Sequence, residues 1–176
     1  MGAFDGIREE LAEEERKKQT AAEKERAELR ARCRQVAPLL KDYAKAAGEL
    51  SRRMVKIPLL LGVGLFGGPK TREIWAYRML VGEGYFYKDL EGRLYDGDVC
   101  SVAHVLQKYG AYVCKYLYID PRGRCYLEVI LSLRDSSPHV TVDISDELAA
   151  ELLIRELGYP AEAKLRKMLK DHMEHV

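Results

Sequence analysis

The strongest structural signal in the chain is a predicted β-hairpin between Gly110 and Leu133. Two runs rich in β-branched and aromatic residues flank a segment that contains Pro121 and Gly123. Proline presets φ at a turn, and glycine adopts the positive φ that a tight reversal needs, so the pattern indicates two strands joined by a turn. Both faces of this hairpin are mostly apolar, and we therefore expect other parts of the chain to cover both of them.

The length of the turn sets the predicted register of this hairpin. A turn over residues 120–123 would place Tyr118 opposite Cys125 and Lys115 opposite Glu128. The second pair joins opposite charges across the two strands, an arrangement that stabilises a sheet.

Composition narrows the class of protein. A chain of 176 residues suits one domain with an appendage, and 47% hydrophobic residues are enough to build a core. The net charge of +1 gives no global reason to expect nucleic acid or an anionic membrane as a partner. The 4 cysteines are widely spaced and form no C-x-x-C pair, which predicts reduced thiols in the cytoplasm rather than disulfides or a zinc knuckle. We find no signal peptide, and the longest apolar run, 57–66, is too short to span a bilayer.

The chain divides into three predicted segments. Residues 1–54 form a long charged helix, residues 55–96 an apolar, glycine-rich connection with short strands, and residues 97–176 a helix–hairpin–helix module. This order predicts an α+β fold in which a small antiparallel sheet follows the N-terminal helix and carries helices packed on it.

The second half of the N-terminal helix carries an apolar stripe with heptad spacing, which is typical of a coiled coil. The stripe consists of Leu29, Cys33, Val36, Leu40, Tyr43, Ala47, Leu50 and Met54. Pro38 lies inside it and is expected to kink the helix or restart it. We expect the stripe to join two copies of the chain in a homo-oligomer; the alternative is that it packs on its own domain.

Several elements are predicted from local signals outside the hairpin. In the middle segment, Ile74–Val81 and Tyr85–Tyr95 have strand-like composition, whereas Ile57–Phe66 suits a buried strand, a hydrophobic loop or a surface that touches a membrane. Towards the C-terminus, the predicted elements are a helix capped by Asp98 and ended by Gly110, a short strand over Val140–Ile144, a helix from Ser145 to Gly158, and a last helix from Pro160 to about Met173.

One glycine-rich segment resembles a phosphate-binding loop. Its candidate residues are Gly62, Gly64, Gly67, Lys70 and Thr71. A phosphate site of this kind needs a helix that begins within the glycine run. Pro69 stands where a Walker loop has glycine, so the signal for nucleotide binding is weak.

Other motifs point to no specific chemistry. His172 and His175 have the spacing of a metal-binding pair, but no third ligand is near in the sequence. We therefore predict no catalytic residue, metal or cofactor. The basic residues of the last helix suggest a solvated face, with contact to nucleic-acid phosphates as the minority alternative; they are Lys164, Arg166, Lys167 and Lys170.

Two stretches, Gln35–Arg52 and Val105–Asp120, resemble the regulatory segment of the stage II sporulation protein E family. Members of that family are membrane-tethered PP2C-type phosphatases of endospore-forming bacteria. The resemblance covers about half of the chain and includes neither the membrane spans nor the phosphatase domain, so no catalytic residue is carried over. It implies a dimerising helix whose packing against an α+β module changes to pass on a signal. The matched surface residues would be Leu40, Tyr43, Ala47 and Leu50.

Together these patterns predict a non-enzymatic, cytoplasmic regulatory or scaffolding module that self-associates through its N-terminal helix, and the resemblance implies a sporulation-related role. Two alternatives stay open. One is a nucleotide- or phosphate-binding protein that uses the segment 62–71. The other is an accessory protein that contacts nucleic acid through the last helix, or a membrane surface through residues 57–66.

Overall fold

The computed structural model describes residues 3–80, 88–158, 163–167 and 170. The fold is α+β, as predicted: a long N-terminal helix precedes a small sheet on which helices pack. The helices are α1 (Ala3–Glu49), α2 (Lys88–Leu94), α3 (Ala103–Tyr109) and α4 (Asp146–Leu157). The strands are β1 (Val55–Val63), β2 (Pro69–Leu80), β3 (Ala111–Ile119), β4 (Cys125–Leu131) and β5 (His139–Ile144).

The five strands follow one another around a closed barrel in chain order. Each strand pairs antiparallel with the next, and a short parallel contact between Leu59 of β1 and Thr141 of β5 closes the ring. Strands β1 and β2 are therefore part of the same sheet as the central hairpin, rather than a connection between two modules. The strand predicted over Tyr85–Tyr95 is wrong in its described part, which contains helix α2; residues 81–87 lie outside the described part of the chain.

The two faces of the sheet carry separate apolar cores, which fulfils the expectation that both faces of the hairpin are covered. Alternate residues of β4 join the larger core with the helices; they are Cys125, Leu127, Val129 and Leu131. Tyr126, which lies between the first two of these, joins a smaller core on the other face together with Ile57, Leu59 and Tyr118. The strict alternation along β4 assigns each of its side chains to one of the two faces.

Helix α1 is 47 residues long and continues through Pro38, so the expected restart does not occur. It ends at Glu49, before the predicted end at Met54. Its second half packs against α4 and the larger core. In contrast, every side chain from Gly6 to Glu28 is exposed, except that of Ala12, which is partly buried. At about 1.5 Å per residue, this exposed part extends roughly 35 Å.

The heptad stripe packs mostly on its own domain. Five of its eight members are buried in the larger core: Cys33, Val36, Leu40, Tyr43 and Ala47. Leu29 and Met54 are partly buried against the same core, and Leu50 is 37% exposed. In this structure the stripe therefore stabilises the fold of one chain, as the alternative interpretation proposed, and most of it is not presented to a second copy.

The central hairpin forms with a different register from the predicted one. Ile119 faces Cys125 and Tyr118 faces Tyr126, because the connection contains five residues, 120–124, instead of four. A shift of one residue moves every side chain to a new partner. Lys115 forms an ion pair with Glu156 of α4.

Some of the predicted helix caps and helix ends are correct, and others are wrong. Ser145 caps α4 by accepting a hydrogen bond from the Leu148 amide, and α4 is followed by Gly158 with positive φ, as expected. Gly110 ends α3, but this helix begins at Ala103 without a side-chain cap, so the capping role predicted for Asp98 is wrong. In the last predicted helix, residues 163–167 and 170 are helical and Leu165 is buried; Met168 and Leu169 lie outside the described residues. None of the helices in the described part of the chain is long and apolar enough to cross a membrane.

Candidate functional site

The glycine-rich segment 62–71 is a β-hairpin and not a phosphate loop. Lys70 and Thr71 lie in β2 and pair with Gly62 and Leu60 of β1. At the tip, the Gly64 amide donates to the Gly68 carbonyl at 2.8 Å, and the Gly67 amide donates to the Gly64 carbonyl at 3.0 Å. No helix begins in this segment, and these two amides are already engaged. The segment therefore lacks the helix start that the predicted phosphate loop needs, and the structure gives no support for phosphate binding at Gly62, Gly64, Gly67, Lys70 and Thr71.

The tip of the β1–β2 hairpin presents two large apolar side chains to solvent. Leu65 and Phe66 are as exposed as in an extended chain, at 102% and 104%. Leu61, in the part of β1 that leads to the tip, is 46% exposed. Lys70 and Arg72, in the part of β2 that leaves the tip, are also exposed. Apolar groups in such a position contribute nothing to the core, so the tip is a candidate contact surface.

A second candidate site lies where β3, β4 and β5 run side by side. Cys114 of β3, Glu128 of β4 and His139 of β5 bring one potential ligand atom each to within 4.8 Å of one another. The His139 Nδ1 atom is 2.8 Å from Glu128 Oε1. A thiol, a carboxylate and an imidazole are three of the groups that bind transition metals in proteins.

A bulge in β3 lies at this cluster. Val113 pairs with Val129 and Leu117 pairs with Leu127, so the three residues 114–116 lie opposite the single residue Glu128. Val113 and Cys114, although adjacent, are both buried. Bulges of this kind reposition side chains, and Cys114 lies within this one, beside the carboxylate on the neighbouring strand.

The protonation of the cluster follows from its burial and charge. Burial and the nearby Glu128 carboxylate raise the pKa of the Cys114 thiol to about 11, so the thiol is protonated at neutral pH. The Tyr118 hydroxyl donates to Glu128 Oε2 at 2.9 Å, and burial together with this carboxylate raises the pKa of Tyr118. The carboxylate is therefore held by Tyr118 on one oxygen and by His139 on the other.

The cluster is enclosed on one side and open on the other. Cys114 is 5% exposed, the side chain of Glu128 is 17% exposed, and that of His139 is 63% exposed. A small ligand or ion could therefore reach the carboxylate and imidazole from solvent, whereas the thiol forms the floor of the site.

Two further polar groupings are explained by structure alone. In a pocket of about 520 Å³, the Ser101 hydroxyl donates directly to the Asp143 carboxylate, whereas a Ser–His–Asp arrangement requires the hydroxyl to donate to the histidine. The buried carboxylate of Glu151 on α4 is neutralised by Arg93 and Arg155. Burial of a paired carboxylate of this kind is compatible with a purely structural role.

Sequence reasoning missed the three-residue cluster because its members are 14 and 11 positions apart and meet only through strand pairing. The predicted register assigned Glu128 to Lys115, which made its charge appear already satisfied. The available signal was the presence of Glu128 in an otherwise apolar strand, where an ionisable group needs a partner.

The predicted basic residues of the last helix, Lys164, Arg166, Lys167 and Lys170, are exposed.

Comparisons with models of known protein families, with curated proteins and with solved structures returned no match.

Proposed function

We propose that this chain is a non-enzymatic regulatory or scaffolding module of the cytoplasm that self-associates through its N-terminal helix. The observation that carries the proposal is the exposed first half of α1, residues 6–28, which we call the arm. It has almost no buried side chain of its own, while the second half of the same helix is fixed in the core. The sheet-bearing body therefore holds the arm out for contact with another molecule.

The arm gains little stability from its own residues. Ion pairs join Glu13 to Lys17 at 2.8 Å and Glu14 to Lys18 at 3.9 Å, and each exposed pair is worth about 0.3–0.5 kcal/mol. Helices receive most of their stability from packing an apolar face. Ile7 and Leu11 are 52% and 57% exposed and lie one turn apart, so they supply such a face at the start of the arm. We assign that face to the arm of a second copy.

The mechanism proposed for regulation is a change in how α1 packs on the body. The resemblance to the regulatory segment of the stage II sporulation protein E family motivates this mechanism and a role in sporulation. Contacts that would report such a change join the end of α1 to the barrel. Arg52 bonds to the Tyr43 hydroxyl in α1 and donates to the Arg78 carbonyl of β2 at 3.1 Å. Binding at the arm would favour one of two helix arrangements.

Sedimentation equilibrium of the full chain tests self-association. The Ile7→Asp, Leu11→Asp variant places two charges on the apolar face and should convert a dimer into a monomer. The matched control is Thr20→Asp, Ala27→Asp, which adds the same charge on the opposite side of the arm and should leave the dimer intact. A wild-type protein that sediments as a monomer at all concentrations, or a dimer that both variants retain, contradicts the proposal.

A second candidate function is attachment to a membrane surface, which the exposed Leu65 and Phe66 favour. Apolar side chains at a hairpin tip can enter the interfacial region of a bilayer, and the neighbouring Lys70 and Arg72 suit anionic headgroups. Cosedimentation with vesicles containing phosphatidylserine tests this function. The Leu65→Ser, Phe66→Ser variant should lose binding, whereas Leu50→Ser, which alters an exposed leucine elsewhere, should not. Equal binding by all three proteins would exclude the tip.

A further inference from the structure

We infer that Cys114, Glu128 and His139 form a binding site for one Zn²⁺ ion, with a fourth coordination position open to solvent. The site lies on the three adjacent strands β3, β4 and β5 and involves no residue of the arm or the hairpin tip. The inference is therefore independent of the proposed function.

The donor set suits this metal. Zinc sites in proteins combine cysteine sulfur, histidine nitrogen and carboxylate oxygen, and sites with three protein ligands keep a fourth position for water or another small ligand. Harder ions such as Mg²⁺ and Ca²⁺ prefer oxygen ligands alone, so the thiol and imidazole select against them. The partial exposure of His139 leaves a path for the ion and for the fourth ligand.

The spacing of the donors is close to what a tetrahedral ion requires. Two ligands bound at about 2.1 Å lie about 3.4 Å apart, and a thiolate at about 2.3 Å lies about 3.6 Å from them. The Glu128 and His139 donor atoms, 2.8 Å apart, must separate by about 0.6 Å, and because all three donor atoms lie within 4.8 Å of one another, none of the distances needs to close by more than about 1.2–1.4 Å. Rotation of the exposed His139 side chain and a small movement of Glu128 can provide both changes.

The surroundings hold the ligands in place. Tyr118 donates to Glu128 Oε2 at 2.9 Å, which leaves Oε1 for the ion. Metal ligands are commonly oriented by such outer hydrogen bonds. The bulge over residues 114–116 adds a backbone reason for the thiol to lie in the site.

Zinc binding would balance the charges of the cluster. The Cys114 thiol loses its proton to solvent, the hydrogen bond between His139 and Glu128 breaks, and three metal–ligand bonds form. Two negative ligands then neutralise the ion in a partly buried position.

The competing interpretation of the cluster is a cysteine nucleophile activated by His139. A thiol that is 5% exposed and lies beside a carboxylate is in the opposite of the electropositive, accessible environment that activates such a nucleophile.

Titration of the full-length, reduced protein with Co²⁺ and Zn²⁺ tests the site. Co²⁺ bound to thiolate gives a charge-transfer band in the near ultraviolet, and tetrahedral coordination gives intense d–d bands in the visible range. We expect both, at one ion per chain, and we expect Zn²⁺ to displace Co²⁺. Zinc at a hundred times its Kd should raise Tm by about 5–10 °C.

Matched variants separate this site from other metal-binding groups. His139→Ala changes an exposed residue, so it should fold normally while lowering Zn²⁺ affinity at least about 100-fold. Cys114→Ser should remove the charge-transfer band, and Tyr118→Phe should keep the band but weaken binding about 10–100-fold. The controls His104→Ala and Cys33→Ser should bind like the wild type.

Three results would overturn the inference. The first is unchanged Zn²⁺ affinity in His139→Ala. The second is a Co²⁺ complex that lacks the thiolate band, or whose binding is lost in a His172→Ala, His175→Ala variant. The third is rapid, stoichiometric alkylation of Cys114 in the folded, metal-free protein at neutral pH, which would indicate a nucleophile.

Discussion

A Cβ atom added to Gly123 would lie 2.9 Å from Cγ and 3.4 Å from Cα of Lys41. The turn between β3 and β4 therefore rests directly on the buried half of α1. Gly123 also has a φ of 83°, which residues with a side chain rarely adopt. This contact joins the central hairpin, which is the strongest signal in the sequence, to the helix that carries the exposed arm.

Replacing Gly123 should destabilise the protein through both effects. Gly123→Ala imposes an unfavourable φ and a close contact with α1, and we expect a loss of about 1–3 kcal/mol in the free energy of unfolding, measured with urea. Gly68→Ala is the control, because its Cβ would meet open space and its φ is not positive. Adding Lys41→Ala to Gly123→Ala should recover part of the loss by removing the Cγ atom; no recovery would assign the whole effect to backbone strain.

Adjacent leucines in β1 should differ sharply in their contribution to stability. Leu60 is 1% exposed in the larger core, whereas Leu61 is 46% exposed. We expect Leu60→Ala to lower the free energy of unfolding by about 2–5 kcal/mol and Leu61→Ala by less than about 1 kcal/mol. Chemical denaturation of the two variants measures the difference. Equal losses would mean that Leu61 is covered in solution, for example by a second copy.

The buried carboxylate of Asp120 should make the free energy of unfolding depend on pH in the acidic range. It accepts hydrogen bonds from the amides of Arg122 and Arg124, from Arg124 Nε and from the Tyr126 hydroxyl. Burial alone would raise the pKa of Asp120, but the hydrogen bonds from Arg124 and Tyr126 outweigh it and lower the pKa below its usual range. We expect Asp120→Asn to lose about 1.5–3 kcal/mol at neutral pH.

The acid dependence of this loss has a definite sign. Because the folded pKa of Asp120 is depressed, its ionised form stabilises the fold above the unfolded value of about 3.9, and this contribution disappears as the pH falls through the folded pKa. The difference between wild type and Asp120→Asn should thus shrink below about pH 4. Urea unfolding at several pH values measures it, and a difference that stays constant down to low pH would assign the loss to packing.

The buried thiols should make the protein sensitive to alkali. All four cysteines are free and buried, and burial raises the pKa of each; those of Cys114 and Cys100 rise to about 11 and about 12. Unfolded thiols ionise near pH 8.5, so the unfolded state gains stability above that pH while the folded state does not. The free energy of unfolding should therefore fall as the pH rises from about 9. Replacing Cys100 with Ala should reduce the slope, and an unchanged slope would attribute it to other groups.

Local sequence signals predicted much of the fold. The paired strands, the turn at Pro121 and Gly123, the cap at Ser145 and the helix end at Gly158 depend on residues within a few positions of one another. Several local predictions failed: α3 begins after Asp98, the turn is one residue longer than its Pro and Gly suggested, and the described part of the strand predicted over Tyr85–Tyr95 contains helix α2. The residue at which a helix or a turn begins depends on which backbone hydrogen bonds the surrounding structure leaves available.

The candidate sites depended on long-range pairing. The heptad stripe is equally compatible with a second copy or with the chain's own core, because apolar spacing specifies a buried face without specifying what buries it. Likewise, the glycine pattern at 62–71 is compatible with a phosphate loop until β2 is seen to pair with β1. In both cases the tertiary structure selects one of two partners that the sequence allowed.

The sequence by itself determined an α+β chain with a long charged helix, a central hairpin and a C-terminal helix capped by Ser145, because these follow from short-range backbone preferences. Only the tertiary structure decided the register, the bulge over residues 114–116 and the meeting of Cys114, Glu128 and His139. Strand pairing joins residues far apart in the chain, and a shift of a single position exchanges every neighbour across the sheet.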